Sequence, residues 1–297
     1  MVYTLTLNPA IDYVLNLESL KFGETNRSSN EKIFFGGKGI NVSYVLNELG
    51  VKNKALGFIG GSTGEMFFDG VNKMGINADF IKIKDGDTRI NIKIKGGSET
   101  EINASGPYIN NESLILLKNK LSSLKEGDFL VLSGSRPKGI PDNFYAELTE
   151  NFTKKGVKVT VDTTGTALIN TLEFSPFLIK PNLSELSEAV GKKLNGEEDI
   201  ISACKYLKSL GAVNVMVTLG ADGIIFLDEF NNFHKVSALK GKVINTVGAG
   251  DSTIAGFIYG YLNNKPYSDI IKICNACGGA TSFKYNLAKR QDIINLL

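Results

Sequence analysis

Seven consecutive residues, Asn245-Thr246-Val247-Gly248-Ala249-Gly250-Asp251, set three small side chains and a carboxylate at the entry to a helix. Ile254, Phe257, Ile258, Tyr261 and Leu262 follow at i, i+3, i+4, i+7 and i+8, the spacing of an amphipathic helix. Gly248, Ala249 and Gly250 would let backbone N–H groups close on an anion at the positive end of that helix. A carboxylate at such a site is repelled by the anion. It has a use there if it takes a proton from a hydroxyl that attacks a phosphoryl group, which is the chemistry expected of Asp251. The plainer alternative is a turn in which Asp251 caps the helix.

Two further stretches read the same way. Gly36-Gly37-Lys38-Gly39-Ile40-Asn41 opens a helix whose apolar stripe is Val42, Val45, Leu46 and Leu49. It adds a cation and an amide to a glycine-rich entry. It is not a P-loop, since no Ser or Thr follows the Gly-Lys pair. Lys180-Pro181-Asn182-Leu183-Ser184-Glu185 follows a short apolar strand, and the three-residue spacing of Asn182 and Glu185 fits either a capping box or a pair beside a metal and its waters. Thr218-Leu219-Gly220-Ala221-Asp222-Gly223 joins two apolar strands and is explained by a turn, or by a turn with a nucleotide lying over it.

The elements that must position these residues alternate along the chain. Strands are predicted near 2–7, 54–59, 128–132, 157–161, 177–179, 213–218 and 223–227. Helices are predicted near 39–49, 64–74, 111–124, 142–155, 183–190, 198–210, 250–262 and 267–284. The alternation predicts an α/β fold, a three-layer mainly parallel sheet with helices on both faces and ligands beyond the C-terminal strand ends. Two segments depart from it. Arg89-Ile90-Asn91-Ile92-Lys93-Ile94-Lys95 alternates strictly and turns at Gly96-Gly97-Ser98 into 99–104. With 11–17 and a short strand near 32–35 it predicts a small β-sheet lid, formed by about 11–35 and 87–105 of a single 1–297 domain. Its row of Ile90, Ile92 and Ile94 must be covered, either by its own domain or by a second subunit, and a homodimer through the lid is expected.

Composition limits the alternatives. The 297 residues are 42% hydrophobic and 22% charged, with a formal net charge of +2, so no nucleic-acid or membrane field is expected. Residues 1–7 read as a strand rather than a secretory signal, no apolar run reaches membrane-spanning length, and a reducing cytoplasm is the expected setting. Cys274 and Cys277, on a predicted helix, read as buried thiols without chemistry, and His234 has no catalytic partner in the sequence.

The motifs together resemble the ribokinase-like (PfkB) family of carbohydrate kinases, over nearly the whole length. The resemblance rests on Thr6-Leu7-Asn8-Pro9-Ala10-Ile11-Asp12, on the Gly36 to Asn41 stretch, on Lys180-Pro181-Asn182 with Glu185, and on Asn245 to Asp251. Thr88-Arg89-Ile90-Asn91-Ile92-Lys93, Glu99 to Asn103 and Gly106-Pro107 resemble its branch acting on phosphorylated hexoses, with 1-phosphofructokinases nearest and tagatose-6-phosphate kinases next. The resemblance implies phosphoryl transfer from ATP, with Mg²⁺, to the 6-hydroxyl of fructose 1-phosphate. Tagatose 6-phosphate or fructose 6-phosphate is the alternative acceptor, and a non-catalytic sugar-phosphate-binding protein the distant one. It further implies Asp251 as general base and Gly248, Ala249 and Gly250 as the anion hole. Asp12 and Asn41 would orient sugar hydroxyls, Arg27, Lys38 and Arg89 would clamp the acceptor's phosphate, and Gly37, Asn91, Asn103 and Ser135 would complete the sugar subsite. Lys180, Asn182, Thr218, Gly220, Gly223 and Asn275 would bind nucleotide, with Glu185 and Asn182 near the metal, through water. Arg136 departs from the family's usual apolar residue and is expected to face solvent.

Overall fold

The computed structural model describes residues 1–297, with the Ser98 side chain set aside. In chain order the strands are β1 (Val2–Thr6), β2 (Ala10–Asn16), β3 (Asn30–Gly36), β4 (Asn53–Gly60), β5 (Ile81–Ile83), β6 (Arg89–Gly96), β7 (Ser98–Ile102), β8 (Phe129–Ser133), β9 (Lys158–Asp162), β10 (Leu178–Ile179), β11 (Asn214–Thr218), β12 (Ile224–Leu227) and β13 (Phe233–Val236). The helices are α1 (Lys38–Glu48), α2 (Gly61–Lys73), α3 (Asn111–Leu121), α4 (Phe144–Thr153), α5 (Gly165–Leu172), α6 (Leu183–Ala189), α7 (Glu197–Ser209), α8 (Ala249–Leu262), α9 (Tyr267–Ser282) and α10 (Arg290–Ile294).

The main sheet runs β13-β12-β11-β10-β9-β8-β1-β4-β5 and is parallel from β11 to β5, with β12 and β13 added antiparallel at one edge. Successive residues of its central strands feed opposite faces. Leu130 and Leu132 pack with Leu117, Tyr145, Leu168 and Leu207 from α3, α4, α5 and α7. Phe129 and Val131 pack with Val42, Ile254, Phe257 and Cys277 from α1, α8 and α9. Strands buried on both faces explain the continuous apolar runs in the sequence.

The second sheet, β3-β2-β6-β7, has four strands and stands apart. Its pleat separates two faces. Tyr13 is in register with Ile33 and Ile92, and Ile92 with Ile102, so these four form one row on the apolar side. Asp12 pairs with Asn91 in the alternate row, on the side that holds Arg89.

Several expectations shift. The expected strand over 99–104 ends at Ile102. Asn91 Oδ1 accepts from the Ala104 N–H at 3.2 Å and Arg89 Nη1 donates to the Ala104 carbonyl at 3.2 Å, so two side chains of β6 replace the ladder there. Helices α5 and α10 and strand β5 lay outside the predicted elements. Cys204, Cys274 and Cys277 are buried free thiols. Burial pushes the Cys204 and Cys277 thiols up to about 12, which makes them inert. Among the described residues no helix is long and apolar enough to cross a membrane.

Candidate active site

A cavity of about 1410 Å³ opens where β1, β8, β9, β10 and β11 end, lined in part by Thr6, Ser135, Thr163, Lys180 and Thr218. That exceeds the ~300–1,000 Å³ usual for one small ligand, and leaves room for two placed end to end.

Its centre is the entry to α8. Gly248 adopts the left-handed conformation, φ 81°, as the cap residue. A Cβ there would collide with the Leu287 side chain and come within 3.5 Å of Asn41 Nδ2. A Cβ on Gly250 would stand 3.1 Å from Lys180 Nζ. Glycine at both positions therefore keeps the backbone open to a ligand. The Ala249 N–H is already taken, by the Thr246 carbonyl at 3.2 Å. Among the described residues no acceptor takes the N–H of Gly248, Gly250 or Asp251. The free amides at this helix end are thus those three, with Asp251 in place of the expected Ala249.

Asp251 is 6% exposed, and its Oδ2 accepts from Asn41 Nδ2 at 2.7 Å. Burial raises its pKa, the Asp162 carboxylate raises it further, and Asn41, Lys180 and Lys38 only partly offset this, leaving it at about 6. A buried carboxylate so tuned, among amides and cations, is suited to accept a proton near neutral pH. A cap with no other task would not need this surrounding.

Asp162, the last residue of β9, was missed in the sequence. Its Oδ1 lies 3.3 Å from both Lys38 Nζ and Lys180 Nζ, and its buried Oδ2 has no partner among the described residues. Burial pushes its pKa up, but Lys180 and Lys38 outweigh that and hold it below the usual carboxylate range. Burial lowers the Lys38 pKa, yet Asp162, Asp251 and Glu185 together raise it above the ordinary lysine value. The available signal was positional: Asp162 ends a buried strand, where parallel sheets place ligands.

At one end of the cavity Asp12 Oδ1 accepts from Asn91 Nδ2 at 2.9 Å. Arg89 is half-buried and donates to the Asn8 carbonyl at 2.9 Å, while its buried Nε has no partner among the described residues. Desolvation lowers the Arg89 pKa and Asp12 works against that. Asn8, Asp12, Gly37, Asn41, Arg89, Asn91 and Ser135 all border the cavity. Three expectations do not follow. Arg27 is exposed in the loop between β2 and β3 and does not border the cavity, because that loop joins Asn16 to Asn30, at the opposite end of these strands from the cavity-lining Ala10. Asn103 lies just past the end of β7, exposed and off the cavity. Lys38 does border it, but Asp162 draws its ammonium to the centre. Arg136 does not face solvent freely: it donates to the Ile140 and Pro141 carbonyls at 3.2 and 2.8 Å and pairs with Asp142 at 2.8 Å.

At the other end, Asn182 and Glu185 form the capping box of α6, each side chain bonded to the other's backbone N–H at 2.9 Å. Both also border the cavity, and the box engages Glu185 through Oε2 alone. Both readings of that motif are thus compatible. Gly220 opens and Gly223 follows a 3-10 turn over Gly220–Asp222 beside Thr218. Asn275 Nδ2 donates to the Ser237 carbonyl at 2.9 Å, which pins the irregular loop after β13 as a wall. Leu239, Val243, Val247 and Phe283 make that wall apolar, a suitable surface for a flat base.

Comparison with known proteins turns this geometry into a family assignment. Residues 1–292 match the pfkB family carbohydrate kinase profile. The chain belongs to that family. A 1-phosphofructokinase from Borreliella burgdorferi is 43% identical over 298 residues, covering 100% of this chain and 96% of the relative. A D-tagatose-1-phosphate kinase from Bacillus licheniformis is 36% identical, with coverage of 97% and 94%. The crystal structure of phosphofructokinase-2 from Escherichia coli with substrates and products superposes with a TM-score of 0.93 at 27% identity, over 99% of this chain and 97% of that one. The chain is a phosphotransferase acting on a sugar hydroxyl.

Proposed function

We propose that this chain transfers the γ-phosphoryl group of ATP to the 6-hydroxyl of fructose 1-phosphate, giving fructose 1,6-bisphosphate. The observation that carries this is the placing of Asp251, its pKa raised to about 6, between unpaired helix-end amides, two lysines and a cavity that runs both ways. Asp251 accepts the hydroxyl proton as the oxygen attacks. The Gly248, Gly250 and Asp251 amides, with Lys38 and Lys180, hold the charge of the group in transit. Arg89 and Asp12 fix the acceptor at one end, Arg89 on its phosphate and Asp12 on a hydroxyl. The nucleotide lies toward Thr218, Gly220, Gly223 and the wall pinned by Asn275.

Mg²⁺ fits the residues present. No cluster of three or more His, Cys, Asp or Glu that could cage a metal occurs among the described residues. Mg²⁺ commonly needs none, since it keeps waters and binds through one or two carboxylates and substrate phosphates. Glu185 Oε1, outside the capping box, would meet those waters, and the ion would neutralise phosphate charge.

The two relatives at 43% and 36% identity carry names of ketohexose 1-phosphate kinases, which supports a 1-phosphate rather than a 6-phosphate acceptor; the more distant phosphofructokinase-2, at 27%, does not carry such a name. Tagatose 1-phosphate, the C4 epimer, is the second reading. We also infer a homodimer in the cytoplasm. Ile33, Ile90 and Ile102 on the apolar side of the small sheet are 40%, 39% and 59% exposed, and a second copy laid on this face would cover them. ADP release measured with fructose 1-phosphate, tagatose 1-phosphate, fructose 6-phosphate and tagatose 6-phosphate tests the assignment. The highest kcat/KM is expected with fructose 1-phosphate. Preference for either 6-phosphate would overturn it.

A further inference from the structure

The strand β6 presents Arg89, Asn91 and Lys93 at alternate positions, hence on one side of the small sheet. Arg89 and Asn91 border the cavity and Lys93 does not. The Lys93 side chain is only 13% exposed, which is unusual for a lysine with no ligand to meet. Its ammonium lies 3.7 Å from Asp12 Oδ2 and 3.2 Å from Glu101 Oε1. Asn91 Nδ2 occupies the other Asp12 oxygen, Oδ1, at 2.9 Å. Each oxygen of Asp12 therefore faces its own donor, and both donors come from β6. Val14 and Lys93 are in register across β2 and β6, as are Lys93 and Glu101 across β6 and β7, so the backbone ladder fixes the row.

A carboxylate in a pocket for a phosphorylated acceptor has a cost, because it repels the acceptor's phosphate. Lys93 answers that cost without occupying the pocket. Its charge offsets that of Asp12 from behind, and Glu101 holds it there rather than letting it reach for the substrate. We propose that Lys93 is a positioning residue for the acceptor: acting through Asp12, it orients the carboxylate toward the sugar hydroxyl and makes the subsite tolerant of a dianionic sugar phosphate. This rests on the assignment of Asp12 to the acceptor made above.

A double-mutant cycle in the full-length enzyme tests it. Lys93→Met is expected to raise KM for fructose 1-phosphate about tenfold, a modest loss for an enclosed charge pair. KM for ATP should stay within about twofold, and Lys93→Arg should restore KM for the sugar phosphate to within about threefold of the native value. In the Asp12→Asn background, Lys93→Met should add less than about twofold, since its partner is already gone. Lys93→Gln is run in parallel, with thermal melts, so that poor folding of one variant does not end the test. An unchanged KM in folded Lys93→Met and Lys93→Gln, or an equal penalty in both backgrounds, overturns the proposal. If Asp12→Asn alone leaves KM for fructose 1-phosphate untouched, it is the assignment of Asp12 that fails.

Discussion

Asp251→Asn separates the catalytic role of this residue from its cost to the fold. The native pKa stands at about 6 against an ordinary 3.8, because burial and Asp162 disfavour the charged form. The folded state therefore binds its proton more tightly than the unfolded chain does. Stability from this group is fully present below pH ~4, is lost as pH rises through about 6, and stays lost above it. The difference between about 6 and 3.8 is worth about 3 kcal/mol at pH 8. Asparagine carries no charge there and can still accept from Asn41. The variant is thus expected to gain up to about 3 kcal/mol at pH 8, a rise in Tm of roughly 5 °C for a chain of this size, and almost nothing near pH 4. The same substitution removes the base, so kcat should fall at least ~10²-fold with KM for ATP nearly kept. In the native enzyme kcat should decline as pH drops below about 6, where the carboxylate takes a proton. Melts at pH 4.5 and 8 on both proteins, with ADP release across the same pH range, measure all of this. A variant that keeps native kcat, or whose melting advantage is the same at both pH values, would refute the reasoning.

Arg89→Ala should raise KM for the sugar phosphate by about 10- to 100-fold with little change for ATP, and Arg89→Lys should rescue it poorly, since an ammonium lacks the planar fork. An unchanged KM in steady-state assays would remove Arg89 from the phosphate clamp. Gly248→Ala forces a Cβ into a left-handed position already closed by Leu287, so it should cost about 1–2 kcal/mol in melts and lower kcat at least about tenfold by displacing the amides. Native Tm and kcat in that variant would mean the cradle is less tightly set than its packing indicates.

The helix-entry motifs were legible because each couples a local pattern to a chemistry. The small residues before the stripe of α8 implied a glycine-rich helix entry, and α8 is capped by Gly248, at φ 81°. The strict alternation of β6 implied a half-buried strand outside the main layer, and the second sheet contains it. Elements too short to show a period were lost: β5 has three residues and α10 five. What no local pattern contains is who meets whom across the sheet. Asp162 belongs to a strand read only as apolar, and it matters because Lys38 and Lys180, 124 positions before it and 18 after, converge on one of its oxygens. That convergence places the Lys38 ammonium beside Asp162, which the sequence did not indicate. Arg27 and Asn103 followed motif position alone, and neither borders the cavity; the end of β7 beside Asn103 is set by hydrogen bonds between Ala104 and the side chains of Arg89 and Asn91, which no local pattern shows.

The central claim is that Asp251 and the amides of Gly248 and Gly250 converge on one transferred group. A crystal structure of the enzyme with fructose 1-phosphate, MgADP and a fluoride mimic of the phosphoryl group tests it most directly. The expected result has the 6-hydroxyl within ~3 Å of an Asp251 oxygen and the mimic within hydrogen-bond reach of those amides. An acceptor hydroxyl or a phosphoryl mimic bound out of reach of Asp251 would contradict it.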